Sequence, residues 1–283
     1  MERATEPDFG DTRRLLGVEQ LITDPAAYVI AGVLGAIFGS FLNVVIWRVP
    51  RGKSLVSPGS ACPKCGTDIS PRDNVPIVSW LLLRGRCRSC QAPIAVRYPL
   101  VEAGTAAAFV AVVLLFPKDP WSWPAWWYFA AIGIALALID LDVRRLPSVI
   151  ILPSYVVGAV LISLAIALGS TSLADGVRAM IGMAALWALY ALLATVKPGG
   201  MGWGDVRLAG VLGGYLGWLG VGSLVVGAFA AFLLGAVWSV GLMLLGGATR
   251  KSRVPFGPWM IVGAAVGVAW GESVWRAYMS LIL

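Results

Sequence analysis

The stretch "YVIAGVLGAIFGSFLNVVIW", Tyr28 to Trp47, runs for twenty residues without a charged side chain. A helix rises about 1.5 Å per residue and needs about 20 mostly apolar residues to cross the hydrocarbon core of a bilayer. This run alone therefore predicts a membrane span. Seven more follow: Pro99 to Phe116, Pro124 to Asp142, Ser148 to Leu168, Gly176 to Val196, Val206 to Gly220, Val221 to Leu245 and Pro258 to Leu281. The sixth is short and runs straight into the seventh. Composition agrees, with 58% hydrophobic and 13% charged positions, where soluble domains average about 45–50% apolar. The fold class expected is an all-α polytopic membrane protein with about eight transmembrane helices.

The polar start, residues 1–26, lacks the apolar core of a signal peptide, so no cleaved export signal is expected. Leu15, Val18 and Ile22 within it form a weak amphipathic stretch, to lie on the membrane surface or stay disordered. Of the 22 Lys and Arg residues, only Arg3, Arg13, Arg14, Lys118, Arg178 and Arg276 fall on the side of the N-terminus. The others crowd the opposite connections, which places the N-terminus outside and the large loop after the first helix in the cytosol. The net charge of +7 then reads as this topological bias and an attraction to anionic membrane lipids, with no nucleic acid implied. "WSWPAWWY", Trp121 to Tyr128, reads as an aromatic belt at the outer interface. No internal repeat is visible, and nothing fixes an oligomeric state.

All four cysteines lie in that loop, as "CPKC" (Cys62, Cys65) and "CRSC" (Cys87, Cys90), with 21 residues between the pairs. Two C-x-x-C knuckles supply four thiolates that close tetrahedrally on one zinc, and four sulfur ligands leave no open position, so the metal is expected to be structural. Two disulfides are the alternative, disfavoured on the reducing side of the membrane. The organisation expected is a polar segment (1–26), a first transmembrane helix (27–47), a cytosolic tetracysteine zinc domain resembling a zinc ribbon (48–98) and a transmembrane domain (99–283).

Histidine is absent, which removes Ser-His-Asp triads, Cys-His pairs and H-E-x-x-H zinc sites. Acids at helix ends remain. "GMGWGDVRLAG", Gly200 to Gly210, sets Asp205 behind Gly202 and Gly204, whose missing Cβ atoms let an extended peptide backbone approach. An N-cap role for Asp205 is the competing reading. "IDLDVRRLP", Ile139 to Pro147, supplies Asp140 and Asp142, which point about 200° apart on a helix, so one of them faces any given pocket. Two carboxylates meeting from different helices can share a proton and act as general base and general acid in peptide hydrolysis.

The chain resembles the type IV prepilin peptidases, bifunctional leader peptidase and N-methyltransferase enzymes with a Gly-x-Gly-Asp aspartic-protease motif. The resemblance rests on "FGSFLNVVIWRVP", "CPKCGTDISPRDNVPIVSWLLLRGRCRSC", "RYPLVE", "IDLDVRRLP", "GMGWGDVRLAG" and "PFGP", in that order from Phe38 to the last helix. It implies a bacterial plasma-membrane enzyme that removes the basic leader of prepilins and pseudopilins at the cytosolic face. Asp140 and Asp205 are then the catalytic acids and Asp142 is spare. It also implies N-methylation of the new N-terminus by S-adenosylmethionine, with Gly85 before the third cysteine needed for that step. Glu102 is a candidate acid near the amine or the sulfonium, against a plainer role as partner of Arg97. Asn43 is a candidate polar contact for substrate or, equally, a helix–helix hydrogen bond. "PFGP" either flanks the acids or simply starts the last helix.

Two positions depart from the family pattern, Ser148 where Asp is common and Arg207 where Lys is usual. The second bears on substrate affinity. Three alternatives stand beside this reading: a peptidase without methyltransferase activity, a proton-coupled transporter using the intramembrane acids, and a zinc-stabilised scaffold without chemistry.

Overall fold

The computed structural model describes residues 25–196, 201–245 and 255–282. Eight long helices run through them: α1 (Pro25–Arg48), α2 (Arg97–Leu115), α3 (Trp123–Val143), α4 (Ser148–Ala167), α5 (Leu173–Val196), α6 (Trp203–Leu219), α7 (Val221–Leu244) and α8 (Gly257–Ile282). The helices match the eight apolar runs to within a few residues. Leu15, Val18, Ile22, Lys197, Gly200, Arg250, Lys251 and Arg253 lie outside the described residues.

Six of the eight, α1 to α5 and α7, are long and apolar enough to cross a membrane. The other two fall short for visible reasons. α6 has 17 residues, most of them buried against neighbouring helices, so its glycines and polar residues need not suit lipid. α8 carries Glu272 and Arg276 in its second half.

Consecutive helices pack as antiparallel pairs, α1 on α2, α5 on α6 and α7 on α8. Small residues at the crossings make the close approach possible. A Cβ added to Gly39 of α1 would lie 2.6 Å from the Glu102 Cα of α2, and one added to Gly263 of α8 would lie 2.5 Å from the Ala231 nitrogen of α7. At the α5–α6 crossing, a Cβ on Gly213 would lie 2.3 Å from the Gly182 carbonyl oxygen. Gly213→Val therefore forces α5 from α6, at an expected cost of about 1–3 kcal/mol. Thermal unfolding in detergent should show a lower midpoint, and an unchanged midpoint would contradict this packing.

The break between α6 and α7 falls on Gly220, at φ 154°, where an added Cβ would lie 2.3 Å from Glu272 Oε1. The run-on of the sixth span into the seventh thus resolves into two helices at a residue only glycine can fill. Glu272 accepts the Ser223 amide at 3.1 Å and so caps the start of α7.

The aromatic segment departs from the belt reading. Trp121 is exposed, but Trp123 and Trp126 are buried. Trp126 stacks on Phe116 and Trp218, and the Trp123 and Trp127 indoles donate to the Phe116 and Phe109 carbonyls. Trp123, Trp126 and Trp127, three and four residues apart, share one helix face that turns inward.

Between α1 and α2 the chain forms the cysteine domain, which contains one short α-helix, Val78–Leu82, and a 3-10 turn at Pro71–Asp73. Among the described residues no strand forms, and both isolated bridges lie here, Ala61 with Asp68 and Arg86 with Pro93. Each bridge closes a knuckle of the same design. Cys62 N donates to Thr67 O and Gly66 N to Cys62 O, while Cys87 N donates to Ala92 O and Gln91 N to Cys87 O. Gly66 and Gln91 hold the same left-handed position. The chain therefore does contain a small structural repeat, hidden in the sequence because only the two cysteines of each knuckle and the isoleucine that follows them, Ile69 and Ile94, recur.

Candidate functional site

Asp140 lies in the last turn of α3 and is 5% exposed. The helix stops there because Arg144 turns left-handed, at φ 52°, and returns its amide to the Asp140 carbonyl at 2.8 Å. The Asp140 side chain points inward, and its Oδ2 accepts the Gly257 amide at the head of α8 at 3.0 Å. Asp142 points away and pairs with Arg97 of α2 at 2.8 Å. The 3.6-residue period has separated the two acids as their spacing predicts.

Asp205 enters from α6. It is the third residue of that helix and not its N-cap: Gly202 precedes the first turn, and Asp205 Oδ2 reaches back to accept the Gly202 amide at 3.1 Å. The capping reading survives in this altered form, an acid in the first turn serving a free N–H and the helix dipole. Gly204 matters through its missing side chain. A Cβ there would lie 2.9 Å from the Leu146 Cβ. Leu146 also packs against the glycine that binds the other acid: a Cβ on Gly257 would lie 3.3 Å from Leu146 Cδ2 and 2.8 Å from Asp140 Oδ2.

The α3–α4 turn thus wedges between the two carboxylate-bearing ends. Asp140 and Tyr190 of α5 are both within electrostatic reach of Asp205. Each acid holds one backbone amide with Oδ2, and among the described residues the second oxygen of each makes no further hydrogen bond.

The remaining candidates are distributed differently. Asn43 Nδ2 donates to the Tyr98 carbonyl at 3.1 Å, the helix–helix alternative. Glu102 is buried and accepts the Ile77 amide at 2.7 Å, which anchors the cysteine domain to α2. The expected Arg97–Glu102 pair does not form, because residues five apart lie about 140° from each other on a helix. Gly85 takes φ 66°, and a Cβ there would lie 2.9 Å from the Trp80 indole, which donates to Ile94 O at 3.1 Å. Gly85 and Glu102 thus shape and fasten the cysteine domain. The two departures from the family pattern meet: the Arg207 guanidinium donates to Ser148 Oγ.

The four cysteine sulfurs lie within 4.8 Å of one another, with Cys62 and Cys90 Sγ 3.8 Å apart. Zn–S bonds of about 2.3 Å in a tetrahedron set sulfurs about 3.8 Å apart, so the cluster fits one zinc. Hydrogen bonding from Thr67 draws Cys65 down to about 6. The Ala92 backbone hydrogen bond lowers Cys90, but partial desolvation and the three neighbouring thiols together push it up to about 11. Arg88 clamps Asp73 at 2.6 Å, and that hydrogen bond holds the carboxyl below its usual range.

Sequence reasoning missed Leu146, Tyr190 and the amide of Gly257. "PFGP" was the one signal available, and it does both things considered: it starts α8 and it binds Asp140.

Fold and site together define a polytopic helical membrane protein with a carboxylate pair where α3, α6 and α8 meet and a four-cysteine centre between α1 and α2. The family model for the bacterial peptidase A24 N-terminal domain matches residues 33–116, and that for the type IV leader peptidase family matches residues 127–240. A prepilin leader peptidase/N-methyltransferase of Aeromonas hydrophila is 37% identical over 278 residues, covering 87% of this chain and 92% of the relative. One from Pseudomonas aeruginosa is 33% identical over 295 residues, covering 93% and 97%. One from Neisseria gonorrhoeae is 36% identical over 285 residues, covering 90% and 95%. No solved structure matches. The chain belongs to the type IV leader peptidase family.

Proposed function

We propose that this protein cleaves the basic leader from type IV prepilins and related pseudopilins and then methylates the exposed N-terminal amine. The observation that carries the reading is that Asp140 and Asp205, on separate helices, lie within electrostatic reach of one another, each steadied by one backbone amide. Two acids in reach of one another in apolar surroundings favour one shared proton over two charges. The pair then serves as base toward water and as acid toward the scissile carbonyl and leaving amine. The space beside Gly204 is filled by Leu146, so an extended substrate backbone gains access beside Gly202 and Gly204 only when the α3–α4 turn moves aside. The pair acts as a unit, so neither acid has a fixed role.

The protein is a multi-pass protein of the bacterial inner membrane. In the orientation we favour, the N-terminus is outside, and the cysteine domain and both acids are at the cytosolic face. The shorter α6 crosses the bilayer within the shelter of the bundle, and the more polar α8 crosses beside α7. Arg51 and Lys53 flank the Trp47 ring at the end of α1, at 4.9 and 4.5 Å, an arrangement suited to anionic lipid headgroups.

Cys62, Cys65, Cys87 and Cys90 hold a structural zinc in this reading. S-adenosylmethionine supplies an activated methyl group when bound, and the cysteine domain serves that step. Gly85→Val strains the left-handed turn against Trp80. It should leave leader cleavage intact while the mature pilin loses its methyl mass, and failure of cleavage would show that the two activities are not separable in this way.

Mass spectrometry of a prepilin co-expressed with the protein tests the whole reading. The expected product is cut at the end of the leader and carries one methyl group. An uncut prepilin beside soundly folded protein, or proton-linked flux in vesicles without proteolysis, overturns it.

A further inference from the structure

The head of α6 is held by more than Asp205 itself. Tyr155 of α4 donates its hydroxyl to the Arg207 carbonyl at 2.6 Å, two residues beyond the acid. It can do so because residue 210 is glycine: a Cβ there would lie 2.1 Å from the Tyr155 oxygen. The Arg207 side chain meanwhile donates to Ser148 Oγ at the first residue of α4. Ser148 lies two residues after Leu146, whose side chain packs against both Gly204 and Gly257.

Resting on the carboxylate-pair reading above, we infer that Arg207 and Tyr155 are positioning residues for cleavage. Through Ser148 and the α6 backbone they latch the Asp205 end of α6 to the α3–α4 turn that follows Asp140. The physical need is plain. The two acids sit on different helices with no direct bond between them, and displacement of a reacting group by about 1 Å can cost about 100-fold in rate. A latch that spans eight residues of turn and helix start fixes that separation. The obvious competitor is a direct substrate contact by the Arg207 cation. In the structure its guanidinium is already directed to Ser148, which favours the latch.

Kinetics separate the two. The full-length enzyme in nanodiscs of phosphatidylethanolamine and phosphatidylglycerol is given a synthetic peptide of basic leader, Gly and apolar helix. Arg207→Gln and Tyr155→Phe should each lower kcat about 10- to 100-fold while KM stays within about twofold. Arg207→Lys combined with Ser148→Asp exchanges the hydrogen bond for an ion pair and should keep kcat within about threefold of the parent. Methylation of a peptide that begins at the mature N-terminus reports the fold of each variant and should be unchanged. Where Arg207→Gln fails that check, Ser148→Ala removes the same contact from a half-buried helix start.

Unchanged kcat in folded Arg207→Gln and Tyr155→Phe overturns the latch, and a raised KM at unchanged kcat makes Arg207 a substrate contact instead. Asp140→Asn and Asp205→Asn run alongside. Active Asn variants sink the carboxylate-pair reading, whereas inactive ones beside a fully active Arg207→Gln sink the latch alone.

Discussion

Asn in place of Asp140 is expected to lower prepilin cleavage by about 1,000-fold or more, and Asn in place of Asp205 to do the same. The substitution is chosen so that geometry survives. An Asn oxygen still accepts the Gly257 amide at position 140 or the Gly202 amide at position 205, so helix ends and the Leu146 wedge stay in place. What disappears is the ability to take and return a proton. Asp142→Asn is the matched control. Its carboxylate faces away and pairs with a largely exposed Arg97, a contact of a kind worth at most about 1 kcal/mol. Cleavage by that variant is expected to match the parent. Prepilin processing in membranes, followed by mass, reads all three.

The second large effect belongs to the cysteines. Between residues 49 and 96 only Cys62, Ser79 and Gly85 are buried, so this segment has no apolar core to fold around. Structural zinc in comparably small modules contributes about 10–16 kcal/mol to folding at neutral pH. Cys62→Ser removes the buried ligand. If the four sulfurs hold zinc as proposed, elemental analysis should find one zinc in the parent and none in this variant, limited proteolysis should cut between Ala61 and Ile94, and the methyl group should vanish from mature pilin. The helix pairs, which bury their own small-residue crossings, are expected to remain protected. A variant that keeps its protease resistance and its methylation without metal would show that the knuckles fold on hydrogen bonds alone.

What could be read beforehand follows from the range of the interactions involved. Six of the eight helices are written locally, in apolar length, and α6 and α8 show as a shorter and a more polar run, so all eight appear in the sequence from Tyr28 onward. The cysteine centre is local too, since one spacing of short knuckles brings the four sulfurs together. The inward turn of Asp140 and the outward turn of Asp142 follow from helical period alone.

Contacts between distant segments left no such trace. Nothing in "PFGP" announces that the Gly257 amide finds Asp140, and nothing in "RRLP" places Leu146 between Gly204 and Gly257. Glu102 could be placed on α2, but not opposite Ile77, whose positive φ of 62° the sequence conceals. The tryptophans of α3 misled for the same reason. A belt and a buried stripe contain the same residues, and only the neighbours Phe116 and Trp218 decide between them. Gly210 drew notice only as part of a glycine-rich motif, while its use, admitting Tyr155 to the α6 backbone, depends on a helix fifty residues earlier.

The central claim is that acids from α3 and α6 work as one device. Single-turnover cleavage by Asp140→Asn, by Asp205→Asn and by the double variant tests it most directly. Residues that act as a unit are not additive, so the double variant should be no slower than either single one. Losses that multiply, or an Asn variant that still cleaves at the parent rate, would contradict it.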